Sequence, residues 1–555
     1  MKRSWPRRGR RTKVWALLAL TSLPILVLTG ALLARTALGD DAESGIAAFV
    51  LGDFGGVTRA TLETNALPYK VVATALLLRE ERVRATQLGR ADLPDIYRQF
   101  GFVSPERIAN WPASLPQPRF ERPLGMVRGE VRGPTSLVRI DAVNLGCATC
   151  HAGIVYGADG RATGAAWAGL PNTSINLEAY TQAVFLSLAS AVRDQGAFRA
   201  RVAELFPEMG RAERFTLRFL LLPRVATRIA ELREAGFGPS PFSNGGAGRT
   251  NGVAMLKQML GIPAGGVTGH ADVGFTSIPD LASRGLRTSL LYDGIYAPAG
   301  DARHDIETGA SAVTSTHLDS LSDIVAFFTV STMGVTPDVG EGVIPAMGPV
   351  MQWLGRSYAP PPFPGAIDSV RMRAGAVLFA SRCAKCHGSY GEGSPRQLVS
   401  FPNALIEQQA MGTDSARWAM VDSTLLGRLA RSAYGRHMRS ERGGGYVAPI
   451  LSGLWATAPY LHNGSVPTLW QLLSPKERPT RFLVGGHALD YTQLGIAGVS
   501  WTDDTWRYPA GYVPWSIPEL YDTRAPGLSN RGHERPSAGL TDAERWALIE
   551  YLKTL

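Results

Sequence analysis

Two pentapeptides of the same pattern contain every cysteine of this 555-residue chain. Cys-x-x-Cys-His is the attachment sequence for c-type haem. Two cysteines three residues apart lie on one side of a helical turn, where both thiols can reach the haem vinyl groups, and the next residue carries an imidazole to the iron. The sequence therefore predicts two covalently bound c-type haems. The predicted haem-binding residues are Cys147, Cys150, His151, Cys383, Cys386 and His387, of which His151 and His387 are iron ligands.

Two other kinds of site use Cys-x-x-Cys pairs. One is a Cys₄ zinc site, and the other is a redox-active disulfide. Neither needs a histidine directly after the second cysteine, and both motifs of this chain have one. The two pairs are also widely separated, at 147–150 and 383–386, which is unusual for a zinc knuckle. The haem interpretation accounts for more of the pattern than either alternative.

The net charge of +10 is concentrated at the N-terminus. Residues 1–13 contain seven lysines and arginines and no acidic residue, which leaves about +3 for the rest of the chain. Such a small excess does not favour binding to nucleic acid. We therefore expect no nucleic-acid partner.

Residues 14–34 carry no charged side chain. A signal-peptide core usually has about 7–15 residues, whereas about 20 are needed to cross a bilayer. The segment predicts an inner-membrane anchor with its basic end in the cytoplasm; a cleaved signal is the alternative. Because bacteria attach haem to cysteines outside the cytoplasm, the body of the protein is expected in the periplasm.

The proline-rich segment 359–365 predicts a stiff linker. It divides the chain into a basic N-terminus with an anchor or signal (1–39), an N-terminal haem domain (40–358) and a C-terminal cytochrome c domain (366–555). Apolar residues at helical spacing predict helices over 177–192, 213–234 with a break at Pro223, and 318–335. We expect a mainly α fold of two cytochrome c-like haem domains with long loops, the first enlarged by extra helices.

Two further helices are predicted on either side of the second motif. The first covers 367–379, with Val370, Ala374, Val377 and Leu378 on one face and Gly375 allowing close approach of a partner. The second covers 541–555 and begins with a capping box formed by Thr541 and Glu544. Such a pair could close over a haem attached at 383–387.

Two stretches resemble a known family. Residues 448–469, which include Ala458-Pro459-Tyr460-Leu461-His462-Asn463-Gly464, are similar to a segment of dihaem cytochrome c peroxidases and more similar still to rubber-oxygenase-like dihaem cytochromes. The tail Leu528-Ser529-Asn530-Arg531-Gly532-His533-Glu534 resembles the second group. The resemblance covers residues 125–555 and is sharper in the C-terminal part.

The resemblance implies different roles for the two haems. The haem on His151 would be reactive, with a position free for oxygen or peroxide. The haem on His387 would have His533 as its second ligand and would transfer electrons. His462 matches a structural position near a haem propionate. The implied function is a peroxidase- or oxygenase-type oxidoreductase; the alternative is a non-catalytic electron-transfer cytochrome with both irons six-coordinate.

Partners follow from this function. We expect a small redox protein or a membrane electron carrier, together with oxygen, peroxide or an organic substrate. Met438 is the main competitor of His533, since it lies in a suitable loop after His387, and Arg249 could pair with a propionate. The other histidines are interpreted as surface or loop residues and three methionines of the first part as core residues: His270, His304, His317, His437 and His487, and Met255, Met259 and Met333.

Overall fold

A computed structural model describes residues 41–63, 65–234, 243–263, 272–300, 303–336 and 340–555. The predicted anchor at 14–34 and His270 lie outside these residues. No helix within the described ranges combines the length and apolar character needed to cross a membrane. The described α-helices are Asp41–Leu51, Tyr69–Arg84, Leu93–Arg98, Cys147–Cys150, Leu177–Ala191, Gln195–Leu205, Arg211–Thr216, Leu222–Glu234, Gly252–Met259, Ser315–Thr332, Ile344–Arg356, Ser369–Arg382, Ala384–His387, Gln408–Met411, Ala416–Ala419, Ser423–Arg431, Leu469–Leu473, Glu534–Ser537 and Asp542–Leu552.

Short strands form eight small sheets in the described part of the chain. Four sheets have two strands: Leu405–Glu407 with Gly445–Val447, Met438–Ser440 with Tyr296–Pro298, Leu489–Asp490 with Gly495–Ile496, and Arg249–Thr250 with Thr276–Ser277. Three sheets have three strands each. In the first, Arg139–Leu145 lies between Leu67–Pro68 and Met126–Arg132; in the second, Arg396–Phe401 lies between Thr308–Gly309 and Ser389–Gly393; in the third, Ala162–Ala168 lies between Arg107–Ile108 and Ala152–Tyr156. The largest sheet has four strands, in the spatial order Val499–Ser500, Thr505–Arg507, Arg481–Val484 and Glu519–Asp522.

The prediction of a mainly α fold with two cytochrome c-like domains is wrong. The structure is 42% helical and 16% strand, with many small sheets, and is a mixed α and β fold. The sequence pattern missed the sheets because no strand exceeds seven residues in the described ranges and many have only two or three. Such strands are too short to show the alternation of apolar and polar residues that identifies a strand.

The predicted linker at 359–365 is packed into the structure. The indole nitrogens of Trp167 and Trp455 each donate a hydrogen bond of 3.0 Å to its backbone, to the carbonyl oxygens of Ala359 and Pro361. Residues from both sides of it share one buried core, in which the rings of Phe327 and Tyr434 lie 4.9 Å apart. The segments that carry the two motifs are therefore joined by apolar packing as well as by the chain.

Two crossing helices, Ser369–Arg382 and Asp542–Leu552, flank the second motif. Gly375 lies at their crossing, where a Cβ atom would be 2.6 Å from the carbonyl carbon of Ala547. The capping box of Thr541 and Glu544 is present as predicted. The Ser369–Arg382 helix buries Gly375 and Phe379, whereas Val370 and Val377 of its predicted apolar face are exposed to solvent.

The helix at Pro223 is not broken. Arg211–Thr216 and Leu222–Glu234 are joined by a wide π-helical turn, Leu217–Leu221. Proline has no N–H to donate to the preceding turn, and a wide turn accommodates this loss without ending the helix. The predicted helix at 177–192 is observed as Leu177–Ala191, and that at 318–335 as Ser315–Thr332.

Candidate haem site

Both Cys-x-x-Cys-His motifs line one cavity of about 810 Å³. Its lining is largely apolar and comes from both sides of the proline-rich segment. None of the four cysteines forms a disulfide. Burial raises the pKa of the Cys150 thiol to about 12 and that of the Cys383 thiol to about 11, because both side chains lie in apolar surroundings.

The first motif forms one short helix. Cys147–Cys150 is the helix, Gly146 is its N-cap residue, and His151 follows directly. The Nδ1 atom of His151 donates a hydrogen bond of 3.1 Å to the carbonyl oxygen of Pro279. Burial lowers the pKa of His151 to about 4, so the imidazole is neutral. With Nδ1 protonated, Nε2 keeps the lone pair that binds a metal.

The second motif repeats this arrangement. The Nδ1 atom of His387 donates a hydrogen bond of 2.8 Å to the carbonyl oxygen of Pro449, and burial again lowers the pKa of the imidazole. Gly388 follows with a positive φ of 82°, at a point where a Cβ atom would collide with the carbonyl oxygen of Ser400. Only glycine fits this turn without strain. Both histidines are thus fixed by a proline carbonyl.

His533 faces His387 across the cavity. Their ring centres are 6.2 Å apart, with the ring planes inclined by 50°. Two imidazoles bonded to one metal ion at about 2.0 Å each have ring centres roughly 6 Å apart. His533 has a φ of 65°, which is unusual for a residue with a side chain and concentrates at functional positions. Burial lowers its pKa to about 3.

Met438 occupies a different place. It begins the Met438–Ser440 strand, is buried in the core shared with Phe327, and is absent from the lining of the cavity. The structure therefore brings His533, and not Met438, to His387.

Besides Arg382, which is exposed, three arginines line the cavity: Arg287 and Arg417 are buried, and Arg284 is half-buried. The Nε atom of Arg284 has no hydrogen-bond partner among the described residues. Burial and the adjacent Arg284 charge lower the pKa of Arg287 to about 9. Arg417 pairs with Asp293 at 3.0 Å, while burial raises the pKa of Asp280, the acid beside Pro279, to about 7. This excess of buried positive charge suits an anionic group such as a haem propionate.

The three arginines were missed by sequence reasoning, which selected Arg249. Arg249 is buried outside the cavity lining, with its guanidinium 4.4 Å from the ring centre of Tyr521 and 4.0 Å from Glu519. Arg284 and Arg287 are one helical turn apart in a short segment beside Pro279. The spacing of these two arginines was the only signal in the sequence. Because arginine is a common residue, this spacing does not distinguish them from other arginine pairs.

His462 also lines the cavity. Its ring stacks on Tyr446 with centres 4.5 Å apart, and its Nδ1 atom lies 3.3 Å from the hydroxyl of Thr413. Its backbone carbonyl accepts a hydrogen bond of 2.7 Å from Ser277, two residues before Pro279. His462 thus helps to join the walls of the two histidine sites.

The other described histidines, His304, His317, His437 and His487, are not part of the cavity wall. His487 lies in a loop but is fully buried and stacked on Tyr156. Met333 is buried in the core, as predicted. Met255 differs from the prediction, since it is only partly buried and lines the cavity.

The residues of the cavity fit a covalently bound c-type haem. Each motif has paired thiols and a neutral imidazole whose Nδ1 proton is held by a carbonyl. The Nε atom of Arg284, which has no hydrogen-bond partner among the described residues, and the neighbouring Arg287 supply the complementary charge. A haem iron held in this way supplies one-electron redox chemistry.

A family model described as RoxA-like, cytochrome c-like matches residues 445–483. The matched segment includes the whole stretch 448–469 and therefore contains Pro449 and His462. This match supports a relationship to the c-type cytochromes. A covalently bound c-type haem is implied by this match.

Two relatives in Sinorhizobium fredii are similar to part of this chain. Uncharacterized protein y4iM is 30% identical, over 35% of this chain and 51% of its own length. Uncharacterized protein y4iJ is 32% identical, over 35% of this chain and 41% of its own length. The match thus spans about half, or less, of each relative.

Proposed function

We propose that this cytochrome is a dihaem oxidoreductase of the peroxidase or oxygenase type. A haem on His151 would react with oxygen, peroxide or an organic substrate, and a haem on His387 would transfer electrons. The observation that carries this proposal is the difference between the two histidines. His387 faces a second imidazole at 6.2 Å, and in the described part of the chain no imidazole is placed against His151 in the same way.

This difference has a chemical consequence. Two fixed imidazoles limit the change in geometry that accompanies electron transfer, whereas a site that binds oxygen or peroxide needs an open position. The chain's own contribution is to orient His151 and His387 through the carbonyls of Pro279 and Pro449, and to place positive charge at Arg284 and Arg287. The largely apolar wall excludes water and strengthens these interactions.

A specific observation favours a second function. Met255 lines the cavity, and a methionine thioether is an effective haem ligand. If Met255 completed the coordination at His151, both irons would be six-coordinate and the protein would be an electron-transfer cytochrome. Binding of an external ligand distinguishes the two functions.

The proposed electron partner is a small redox protein or a membrane electron carrier in the periplasm. The Ser369–Arg382 helix runs directly into Cys383. On its outer face Val377 is 71% exposed, and Arg373, one helical turn earlier, is also exposed. An apolar side chain beside a positive charge suits an acidic redox protein.

The number of haems is tested by intact mass. After acid–acetone extraction, which removes non-covalent haem, the mass should exceed that of the polypeptide by two haems. Replacing Cys383 and Cys386 together by serine should reduce the excess to one haem, because thioethers form only at cysteine. A wild-type excess of one haem or none would contradict the dihaem proposal.

The reactive site is tested by adding cyanide to the oxidised protein and carbon monoxide to the reduced protein. One haem per molecule should shift in the visible spectrum, and His151→Ala should abolish this shift. Met255→Ala, as the matched control, should leave the amount of bound ligand unchanged. If wild type binds no ligand in either redox state and Met255→Ala gains one site, the electron-transfer function is correct instead.

A further inference from the structure

A patch of apolar side chains is exposed far from both motifs in sequence. Phe219 is 53% exposed and Leu220 46%, and the ring of Phe215 lies against that of Phe219 with centres 4.9 Å apart. Leu137, at the tip of a β-hairpin, is 52% exposed and adjoins them, since its carbonyl oxygen accepts a hydrogen bond of 3.0 Å from Thr216. We call these four residues, Leu137, Phe215, Phe219 and Leu220, the apolar patch.

The wide turn explains why these side chains point outward. Leu217, the first residue of the turn, and Leu222, the residue after it, are buried, while Phe219 and Leu220 between them are exposed. The extra residue of a π turn shifts the register of the helix, so two successive large side chains share the outer surface. Such turns are frequent at functional sites.

Arginines dominate the surface of this helical segment. The exposed arginines between residues 211 and 234 are Arg211, Arg214, Arg218, Arg224, Arg228 and Arg233. The exposed acids in the same segment are Glu231 and Glu234, both at its far end. Glu213, nearer to the patch, is paired with Lys70 at 2.7 Å.

The three arginines nearest the patch in sequence, Arg211, Arg214 and Arg218, pair with no carboxylate in the described residues. The guanidinium of Arg218 lies 4.9 Å from the ring centre of Phe219. Positive charge therefore borders the apolar side chains without being neutralised. The alkyl parts of arginines can lie along apolar groups while their charged ends reach polar surroundings.

We propose that the apolar patch and its arginines dock on an anionic lipid surface. A helix with phenylalanine and leucine beside a strongly basic face typically lies in a membrane interface. Anionic lipids attract each arginine, and the aromatic and aliphatic side chains enter the boundary of the acyl chains. An acidic protein would match the charge, but it would need a complementary apolar hollow for four projecting side chains.

The docked face lies close to the haem cavity. The Leu222–Glu234 helix packs against Leu177–Ala191, and Tyr180, Thr181 and Val184 of that second helix line the cavity. Docking would therefore hold the His151 side of the cavity one helix layer from the lipid. The inference depends neither on the number of haems nor on the predicted anchor.

Photo-crosslinking of the full chain in lipid vesicles tests the proposal. Phe219 is replaced by the photoreactive analogue p-benzoylphenylalanine, which has a similar shape, and the protein is irradiated in vesicles containing phosphatidylglycerol. A lipid adduct at position 219 is expected. The matched control places the same analogue at Val513, which is 82% exposed, and should give no lipid adduct.

Charge is tested with the variant Arg211→Gln, Arg214→Gln and Arg218→Gln combined. It should reduce the adduct yield at 219 by about tenfold or more, given the attraction of each arginine to anionic lipid. Pure phosphatidylcholine vesicles should give a similar reduction with the unaltered arginines. Equal lipid yields at 219 and 513, or a protein adduct at 219 in whole cells instead of a lipid adduct, would overturn the proposal.

Discussion

Replacing His533 by glycine or alanine is expected to remove the low-spin signal of one haem and leave the other haem unchanged. The ring of His533 is 6.2 Å from that of His387, which matches two imidazoles on one iron. Without His533, a haem iron on His387 would keep one strong protein ligand and become high-spin. Electron paramagnetic resonance and visible spectra of the purified protein measure the change.

The two variants separate the loss of the imidazole from backbone strain. His533 has a φ of 65°, where alanine costs about 1–2 kcal/mol and glycine costs little. The glycine variant should therefore lose the low-spin signal while remaining closer to wild type in stability. Added imidazole should restore the signal in that variant, because the space left by the side chain can hold the free ligand.

Met438→Ala is the matched control for His533. Met438 is buried in the core and is absent from the cavity wall, so its replacement should leave both spectra unchanged. It should still lower stability, since removing a buried methionine side chain typically costs about 2–5 kcal/mol. Loss of a low-spin signal in Met438→Ala, with His533→Gly unaffected, would show that the ligand has been assigned to the wrong residue.

Local signals in the sequence predicted several helices well. The capping box at Thr541 and Glu544 and the glycine at 375 were both readable, because each depends on residues within a few positions. The sheets could not be predicted, because several of their strand pairs join residues that are far apart in the sequence. The parallel pairing of Arg107–Ile108 with residues 165–166 joins strands more than fifty positions apart, and two residues carry no periodic pattern.

Periodicity did not show which side of the Ser369–Arg382 helix is buried. Of its predicted apolar face, Val370, Ala374 and Val377 are exposed, and only Leu378 packs against the core. The Ser369–Arg382 helix instead packs through Gly375, because the absence of a side chain lets Asp542–Leu552 approach closely. Glycine has no apolar side chain, so a glycine contact does not appear in the periodicity of apolar residues. The periodicity of this helix therefore indicated the exposed face and not the packed one.

The candidate site divides in the same way. The cysteines, His151 and His387 lie in contiguous motifs, and His533 was identified through a resembling tail. Arg284, Arg287 and Arg417 reach the cavity only through the three-dimensional arrangement of loops that share no motif. Tertiary packing decides which charged side chains line a large cavity. A sequence pattern that spans only a few residues carries no information about that packing.

Gly375→Ala is expected to destabilise the protein by about 2–4 kcal/mol, at the upper end of what overpacking costs. A Cβ atom at Gly375 would lie 2.6 Å from the carbonyl carbon of Ala547 and 3.0 Å from the Cβ atom of Tyr551. Backbone atoms of a helix cannot rotate away, so the two helices must separate. The contact between Phe379 and Tyr551, whose ring centres are 5.0 Å apart, would then loosen.

The matched control is Gly348→Ala in the Ile344–Arg356 helix, where a new Cβ atom meets nothing within 4 Å. Alanine is favoured over glycine within a helix by about 1 kcal/mol, so this variant should be as stable as wild type or more stable. The two identical substitutions should therefore shift the unfolding midpoint, followed by circular dichroism, in opposite directions. Because Phe379, Leu548 and Leu552 line the cavity beside Cys383, Gly375→Ala should also perturb the spectrum of the His387 haem before global unfolding. A Gly375→Ala protein with unchanged stability and spectrum would mean that the helix crossing is not what encloses this haem site.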